Sequence, residues 1–144
     1  MRTLFRPRER GQALVEFSLS IIIFLVLVMA IVDLGRGIYM FNGVSQAARE
    51  IARVASVHPG TTFGSSPEIT AVVNTQKGLI PNLGNPTYSC DNIDGGPGLD
   101  PVYRTCPTGA QVTVSISAPY SPATPVMGLL GTWNMRSTSS QRMP

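Results

Sequence analysis

One stretch decides the fold of this 144-residue chain: RGQALVEFSLSIIIFLVLVMAIVDLGRGIYMFNGVSQAAREIARVAS, residues 10–56. Within it, residues 13–32 carry a single charged side chain, Glu16. A helix rises about 1.5 Å per residue, so this segment would be about 30 Å long, which is the thickness of the apolar core of a bilayer. The sequence therefore predicts one membrane-spanning helix close to the N-terminus.

Positive charge is concentrated ahead of this span. Residues 1–11 contain four arginines and one glutamate, whereas the rest of the chain contains seven basic and seven acidic side chains. Basic residues that precede a span favour a cytoplasmic N-terminus. We therefore expect a single-pass protein of the inner, or cytoplasmic, membrane with an extracytoplasmic body. A neutral body without a basic, aromatic-rich patch argues against nucleic-acid binding.

A secretory signal peptide is the alternative interpretation of the N-terminal region. The basic residues, the apolar run and the small residue Ala30 are typical of such a peptide, with cleavage after Ala30. Two features favour a retained span. The helical pattern continues past Ala30, and a signal peptide has no use for the carboxylate of Glu16.

Beyond the span the helical pattern becomes amphipathic and extends to about residue 57. Apolar residues recur three and four positions apart, which predicts a stripe on one helix face: Ile31, Leu34, Ile38, Phe41, Val44, Ala48, Ile51 and Ala55. Pro59 and Gly60 would end the helix. Gly35, Gly37 and Gly43 lie inside it; close packing and local melting both explain glycines here, and packing is favoured.

The remaining residues, 58–144, predict a small extracytoplasmic α+β head. Ser66, Pro67 and Glu68 are typical of a helix start, and Gly78 would stop that helix. Residues 81–108 are rich in Pro, Gly, Asn and Asp and predict a loop.

Two strands are predicted in the second half of the head. Residues 111–118 alternate between apolar and polar side chains, which indicates a half-buried strand. Residues 132–139 predict a second strand, with Trp133 and Met135 facing the core.

Both cysteines, Cys90 and Cys106, lie in the predicted loop. In an oxidising compartment they would form one disulfide, although two free thiols are the alternative. Asp91, Asp94 and Asp100 lie in the same loop, where a calcium site is conceivable. Their spacing does not match an EF-hand loop, so we interpret them as solvated turn residues and predict no metal site. The only histidine, His58, is expected to cap a helix.

The sequence contains no nucleophile elbow, phosphate-binding loop or pair of metal-ligand motifs. We therefore predict a protein that is not an enzyme and that needs no cofactor.

The start of the long helix carries a recognisable motif. A basic leader ends at Gly11, and Glu16 follows five positions later in GQALVEF, residues 11–17. This stretch resembles a type IV prepilin processing site. The resemblance implies that a prepilin peptidase cleaves between Gly11 and Gln12 on the cytoplasmic side, and that Gln12 is then often N-methylated.

Further elements are similar to the TadE-like pseudopilin family of tight-adherence (Flp, type IVc) pilus systems. They are RG at 10–11, EF at 16–17, DLGR at 33–36, AARE at 47–50 and AR at 52–53. The resemblance covers about residues 10–56. It implies a pilin-like α+β fold with a leader (1–11), a long transmembrane and amphipathic helix (12–57) and a small β-containing head (58–144).

The resemblance also implies a function. A minor pilin or pseudopilin would be processed by the peptidase and would support pilus assembly and surface adhesion, with other pilins and the assembly platform as partners. Glu16, with Phe17 beside it, would set the register of assembly by pairing with the free α-amino group of a neighbouring subunit. A Glu16 that extends to the cytoplasmic headgroups is the alternative. A membrane-anchored or secreted binding module is the rival function.

Overall fold

The computed structural model describes residues 8–91, 105–129 and 131–144. Along the chain its elements are α1 (Arg8–Ser56), α2 (Pro67–Leu79), β1 (Thr87–Asp91), β2 (Gln111–Tyr120), α3 (Pro125–Gly128) and β3 (Trp133–Arg142). One long helix followed by a small head with a sheet and a second helix confirms the predicted α+β class.

The long helix α1 contains 49 residues and is therefore about 73 Å long. It begins before the predicted start of the long helix at residue 12 and includes the end of the predicted leader. Residues 1–7 of that leader lie outside the described residues. From Gly11 to Val32 almost every side chain is exposed, whereas one face of the second half packs against the head.

The head contains a three-stranded antiparallel sheet in the order β1-β2-β3. The central strand β2 pairs Ser115 with Thr87 of β1, and Tyr120 with Trp133 of β3. Strand β2 runs two residues beyond the predicted 111–118 and alternates between buried and half-buried positions, as the sequence pattern indicated.

The core lies between the sheet and the second half of α1, and α2 lies against the same helix. Helix α1 contributes mainly small side chains, which let the sheet approach closely. The fully buried residues include Val44, Ala47, Ala48, Ile51, Ala52 and Ala55 from α1, Ile69 from α2, and Val112, Val114 and Ile116 from β2.

The prediction of a continuous loop over residues 81–108 was wrong in part, because Thr87–Asp91 forms β1. The ring of Tyr88 stacks on Phe63 with centroids 4.8 Å apart, and Cys90 is buried. These contacts, together with pairing to β2, hold an extended segment that local composition does not reveal. Residues 92–104 of the predicted loop lie outside the described residues.

The head does not cover the first half of the predicted apolar stripe. Leu34, Ile38 and Phe41 are exposed, and Asp33 and Gly37 are buried instead. Apolar residues lie on several faces of this part of α1, so spacing alone did not identify the face that the head covers.

Two of the three glycines in α1 lie against the head. An added Cβ would lie 3.8 Å from the Tyr120 ring at Gly37 and 3.5 Å from Ile80 at Gly43. Both observations favour the packing role over local melting. At Gly35 no atom lies within 4 Å of such a Cβ.

Strand β3 begins one residue after the predicted 132 and extends to Arg142. Met135 is half-buried against the core, as expected. Trp133 was predicted to face the core but is 39% exposed. It pairs with the buried Tyr120 at the end of the sheet nearest the apolar half of α1.

Candidate functional site

The four residues assigned to processing and assembly lie together at the start of α1. Gly11, Gln12, Glu16 and Phe17 are all exposed and helical. Gln12 and Glu16 are four residues apart, so they lie on the same side of the helix one turn apart. The structure therefore leaves the whole motif available to lipid or to another chain.

Two serines follow Glu16 in the apolar segment, and both hydroxyls are hydrogen-bonded within the helix. Ser18 Oγ donates to the carbonyl of Leu14 at 2.7 Å, and Ser20 Oγ donates to that of Glu16 at 2.9 Å. Bonds to the carbonyl four residues back satisfy a hydroxyl without a partner from outside the helix. The two serines are therefore compatible with an apolar surrounding.

The helix is long and apolar enough to cross a membrane, and none of its most apolar window is buried inside the molecule. Exposed apolar surface of this extent marks contact with a membrane or with other proteins. The first half of α1 is thus suited to be a membrane anchor.

At the other end of this apolar segment, Asp33 forms the most connected polar site of the described chain. Its carboxylate accepts hydrogen bonds from the backbone N–H of Ala123 at 3.0 Å, from the backbone N–H of Thr124 at 3.0 Å and from the Thr124 hydroxyl. Only 2% of Asp33 is exposed. The two N–H groups lie directly before α3. N–H groups at the start of a helix have no acceptor within the helix, and the Asp33 carboxylate supplies one for these two.

Two more contacts complete this site, which we name the Asp33 latch and define by Asp33, Arg36, Tyr120, Ala123 and Thr124. The Tyr120 hydroxyl donates to the backbone carbonyl of Asp33 at 2.7 Å, and Arg36 Nη1 lies 3.7 Å from Asp33 Oδ1. The latch fixes the connection between β2 and β3 to α1 at the first residue beyond the predicted span.

The latch favours the ionised carboxylate. The hydrogen bond from the Thr124 hydroxyl, helped by the backbone N–H groups of Ala123 and Thr124, holds the pKa of Asp33 below its ordinary value of 3.8, although burial opposes this shift. Stabilisation from a lowered carboxyl pKa is present above the unfolded pKa and is lost as the pH falls through the folded one. The latch is therefore fully ionised at neutral pH.

Sequence reasoning missed the structural role of Asp33, which it used only as part of the DLGR element at 33–36. A signal was available: an aspartate that directly follows a long uncharged run is costly unless it has partners. What the sequence did not reveal is that those partners come from residues 120–124, almost ninety positions later.

Cys90 and Cys106 are joined in a disulfide with Cα atoms 5.8 Å apart, in agreement with the predicted pair. The Gly60 N–H donates to the carbonyl of Cys106 at 3.2 Å, so the disulfide connects β1 to the segment that follows α1. Asp91 ends β1, whereas Asp94 and Asp100 lie outside the described residues.

His58 lies at the end of α1, with Nδ1 2.8 Å from the carbonyl of Val54. This contact matches the capping role predicted for it, because cations and N–H groups satisfy the last carbonyls of a helix. Across the described ranges, no three potential metal ligands lie together.

These features define a class: a protein with one N-terminal helix that can anchor in a membrane and a small α+β head latched to the second half of that helix. The model of the TadE-like protein family matches residues 11–53, which confirms the resemblance found in the sequence. The match begins at Gly11 and includes Glu16 and Asp33. This family suggests involvement in Tad pilus systems and is not a known enzyme family. No curated protein and no solved structure matches the chain.

Proposed function

We propose that this chain is a minor pilin, or pseudopilin, of a tight-adherence pilus and that it supports pilus assembly and surface adhesion without catalysing a reaction. The observation that carries the proposal is the family match over residues 11–53, which starts at the proposed processing residue and covers the apolar helix. The α+β head is larger than a main filament subunit of such a system needs, which favours a minor component.

The proposed route begins in the inner membrane, with the N-terminus in the cytoplasm and the head outside. A prepilin peptidase cleaves between Gly11 and Gln12. Cleavage removes the arginines ahead of the span and leaves an α-amino group on Gln12. Other pilins and the assembly platform then bind the exposed first half of α1.

Glu16 is proposed to pair with the α-amino group of a neighbouring subunit. Its side chain is exposed on α1, so a neighbour can reach it. An acid in an apolar surrounding is tolerated when it is paired, and it is costly when its partner is removed. The pair would therefore fix the register of one helix against the next.

Mass spectrometry of the mature N-terminus tests the processing step. We expect a first residue of Gln12, with or without a methyl group. A mature chain that begins at Met1 would contradict the pilin route, and one that begins at Ile31 would show a cleaved signal peptide.

Pilus recovery tests the role of Glu16. The Glu16→Ala variant should insert in the membrane and be cleaved, but assembly should fail because the neighbour's ammonium group loses its partner. Glu16→Gln should be intermediate, because it keeps an acceptor and loses the charge. Ser20→Ala is the matched control, since it removes a polar group from the same exposed segment, and it should assemble normally. Normal piliation with Glu16→Ala would favour the alternative in which Glu16 extends to the headgroups.

One observation favours a membrane-anchored binding module as the second candidate. A cleft of about 840 Å³ lies between α1, α2 and the end of β2, and Tyr39, Asn42, Gln46, Gln76 and Asn82 are among its lining residues. Deletion of the gene distinguishes between the two candidate functions. Loss of pili indicates the pilin role, whereas normal pili with reduced attachment indicate the binding module.

A further inference from the structure

An exposed apolar surface joins α1 to the head just beyond the predicted span. Leu34, Ile38 and Phe41 of α1 are 61%, 54% and 47% exposed. Together with Met127 and Trp133 they line a shallow groove of about 290 Å³. We name these five residues the apolar collar. Large apolar side chains grouped in this way on a surface mark an interaction site.

The Asp33 latch fixes the height of the collar. Because Asp33 directly follows residues 13–32 and its carboxylate binds Thr124, the residues around α3 and the start of β3 are held at the membrane end of the head. Trp133 pairs with Tyr120, whose hydroxyl also reaches Asp33. Met127 and Trp133, the two collar residues that belong to the head, therefore lie level with the first turns of α1 beyond the span.

The α1 side of the collar extends the apolar span without a break. Leu34, Ile38 and Phe41 are four and three residues apart, so they lie on one helix face. From Leu34 to Phe41 the helix rises about 10 Å, and the headgroup region on one side of a bilayer is about 5–8 Å thick. Counted from the end of the span at residue 32, Leu34 is about 3 Å above the apolar core and lies inside this layer. Ile38 is about 9 Å above it, at the upper border of the layer, and Phe41 is about 13 Å above it, beyond the layer.

The charged groups near the collar do not oppose contact with lipid. The carboxylate of Asp33 is turned into the latch, where its hydrogen bonds are made by Ala123 and Thr124. Arg36 is two residues from Leu34, which places it about 200° around the helix and away from the collar. No buried side-chain polar atom in the described ranges lacks a hydrogen-bond partner.

We propose that the membrane-proximal part of the apolar collar, formed by Leu34, Ile38, Met127 and Trp133, rests in the headgroup layer on the extracytoplasmic side of the membrane. The head then lies against lipid on one side instead of standing free above it. Three observations commit the surface to lipid: its continuity with the span, its height set by the latch, and the exposed tryptophan. Tryptophan is enriched at membrane interfaces, where its ring lies among the headgroups. Apolar helix faces enter this boundary by about 5–10 Å.

The proposal requires only that α1 spans a membrane and does not depend on the assignment to a pilus. Trp133 is the only tryptophan of the chain, so its fluorescence reports the collar without labelling. The test uses the full chain in phospholipid vesicles. Some vesicles contain lipids brominated near the carbonyl end of the acyl chain, and others contain lipids brominated near its methyl end.

We expect Trp133 emission at short wavelength, strong quenching by bromine near the carbonyl end, and weak quenching by acrylamide in the aqueous phase. Long-wavelength emission with strong acrylamide quenching would overturn the proposal, because the collar would then face water. Stronger quenching from the methyl end would also overturn it. Protection that depends on the protein-to-lipid ratio, without quenching by either lipid, would assign the collar to a second copy of the chain.

A pair of variants tests whether the helix face takes part. Ile38→Glu places a charge in the collar at an exposed position and should reduce lipid quenching of Trp133 while acrylamide quenching rises. Tyr39→Glu is the matched control, because Tyr39 is 81% exposed at nearly the same height but about 100° around the helix. It should leave both signals unchanged. Equal quenching in wild type and Ile38→Glu would show that the helix face lies outside the lipid and would refute the collar.

Discussion

Replacing Tyr120 by phenylalanine removes one defined contact between the head and the long helix. The Tyr120 hydroxyl donates to the backbone carbonyl of Asp33 at 2.7 Å, in a buried position. Its ring lies against Gly37, where even a Cβ would be only 3.8 Å from the ring carbons. Phenylalanine keeps the ring and its packing, so the substitution isolates the hydrogen bond.

The expected loss is about 1 kcal/mol in the free energy of unfolding of the head, because a typical buried neutral hydrogen bond contributes about 0.5–1.5 kcal/mol net. A larger loss would require an acceptor left without any partner. The carbonyl of Asp33 keeps the N–H four residues later as its helical partner, since α1 continues to Ser56. A loss of 1 kcal/mol corresponds to about a fivefold increase in the unfolded fraction.

Urea unfolding of the full chain in detergent micelles measures this loss. Emission from Trp133 is a suitable signal, because Trp133 pairs with Tyr120 across the sheet. The control is Tyr39→Phe, which makes the same chemical change at an exposed position and should have no effect. A Tyr120→Phe midpoint equal to that of the control would refute the contribution of this bond. A loss above about 3 kcal/mol would show that the ring has repacked.

Three further experiments test the stability of the head and its packing on α1. The double variant Cys90→Ser with Cys106→Ser should lose about 3 kcal/mol in the free energy of unfolding measured in urea, because the disulfide closes a loop across 16 positions and restricts the unfolded chain. Reductant should lower the urea midpoint of the wild type and leave that of the variant unchanged. Burial raises the pKa of Tyr88 to about 12. Because the unfolded chain loses this proton at a lower pH, near 10, the thermal stability of the protein should fall as the pH rises from about 10 toward 12. The thermal stability of the Tyr88→Phe variant should fall less over the same range. Ile51→Ala should cost about 2–5 kcal/mol, because Ile51 is fully buried, whereas Ile38→Ala at an exposed site should cost little in the same unfolding assay.

The elements that local periodicity defines were predictable from the sequence. The uninterrupted helical pattern of α1, the serine and proline at the start of α2, and the alternation along β2 all place these elements within a few residues of their observed bounds. In each case the information lies within the element itself, so no knowledge of the tertiary structure was needed.

The features that were missed depend on contacts between distant parts of the chain. Strand β1 exists because it pairs with β2, although its flanks are rich in turn-forming residues. The choice of helix face depends on where the head docks, and Asp33 acquires its role from residues 123 and 124. Composition and spacing do not contain these pairings, because they arise only when the chain is folded.

Of the two acids near the apolar span, Glu16 lies in its first turn and Asp33 directly follows its end, and they differ in burial. Glu16 and Asp33 are 17 positions apart, which corresponds to about 25 Å along the helix. Asp33 has its hydrogen bonds from its own chain and is nearly inaccessible, so it can hold the head but cannot bind a partner.

Glu16 is exposed, with its backbone carbonyl bonded to Ser20, and its carboxylate faces outward. Replacing Asp33, whose carboxylate is hydrogen-bonded within the chain, should change how the head is held against α1. Replacing Glu16, whose carboxylate faces outward, should change what the helix binds. The two carboxylates thus have different surroundings on one helix, because the head covers one face of the second half of α1 and leaves the first half exposed.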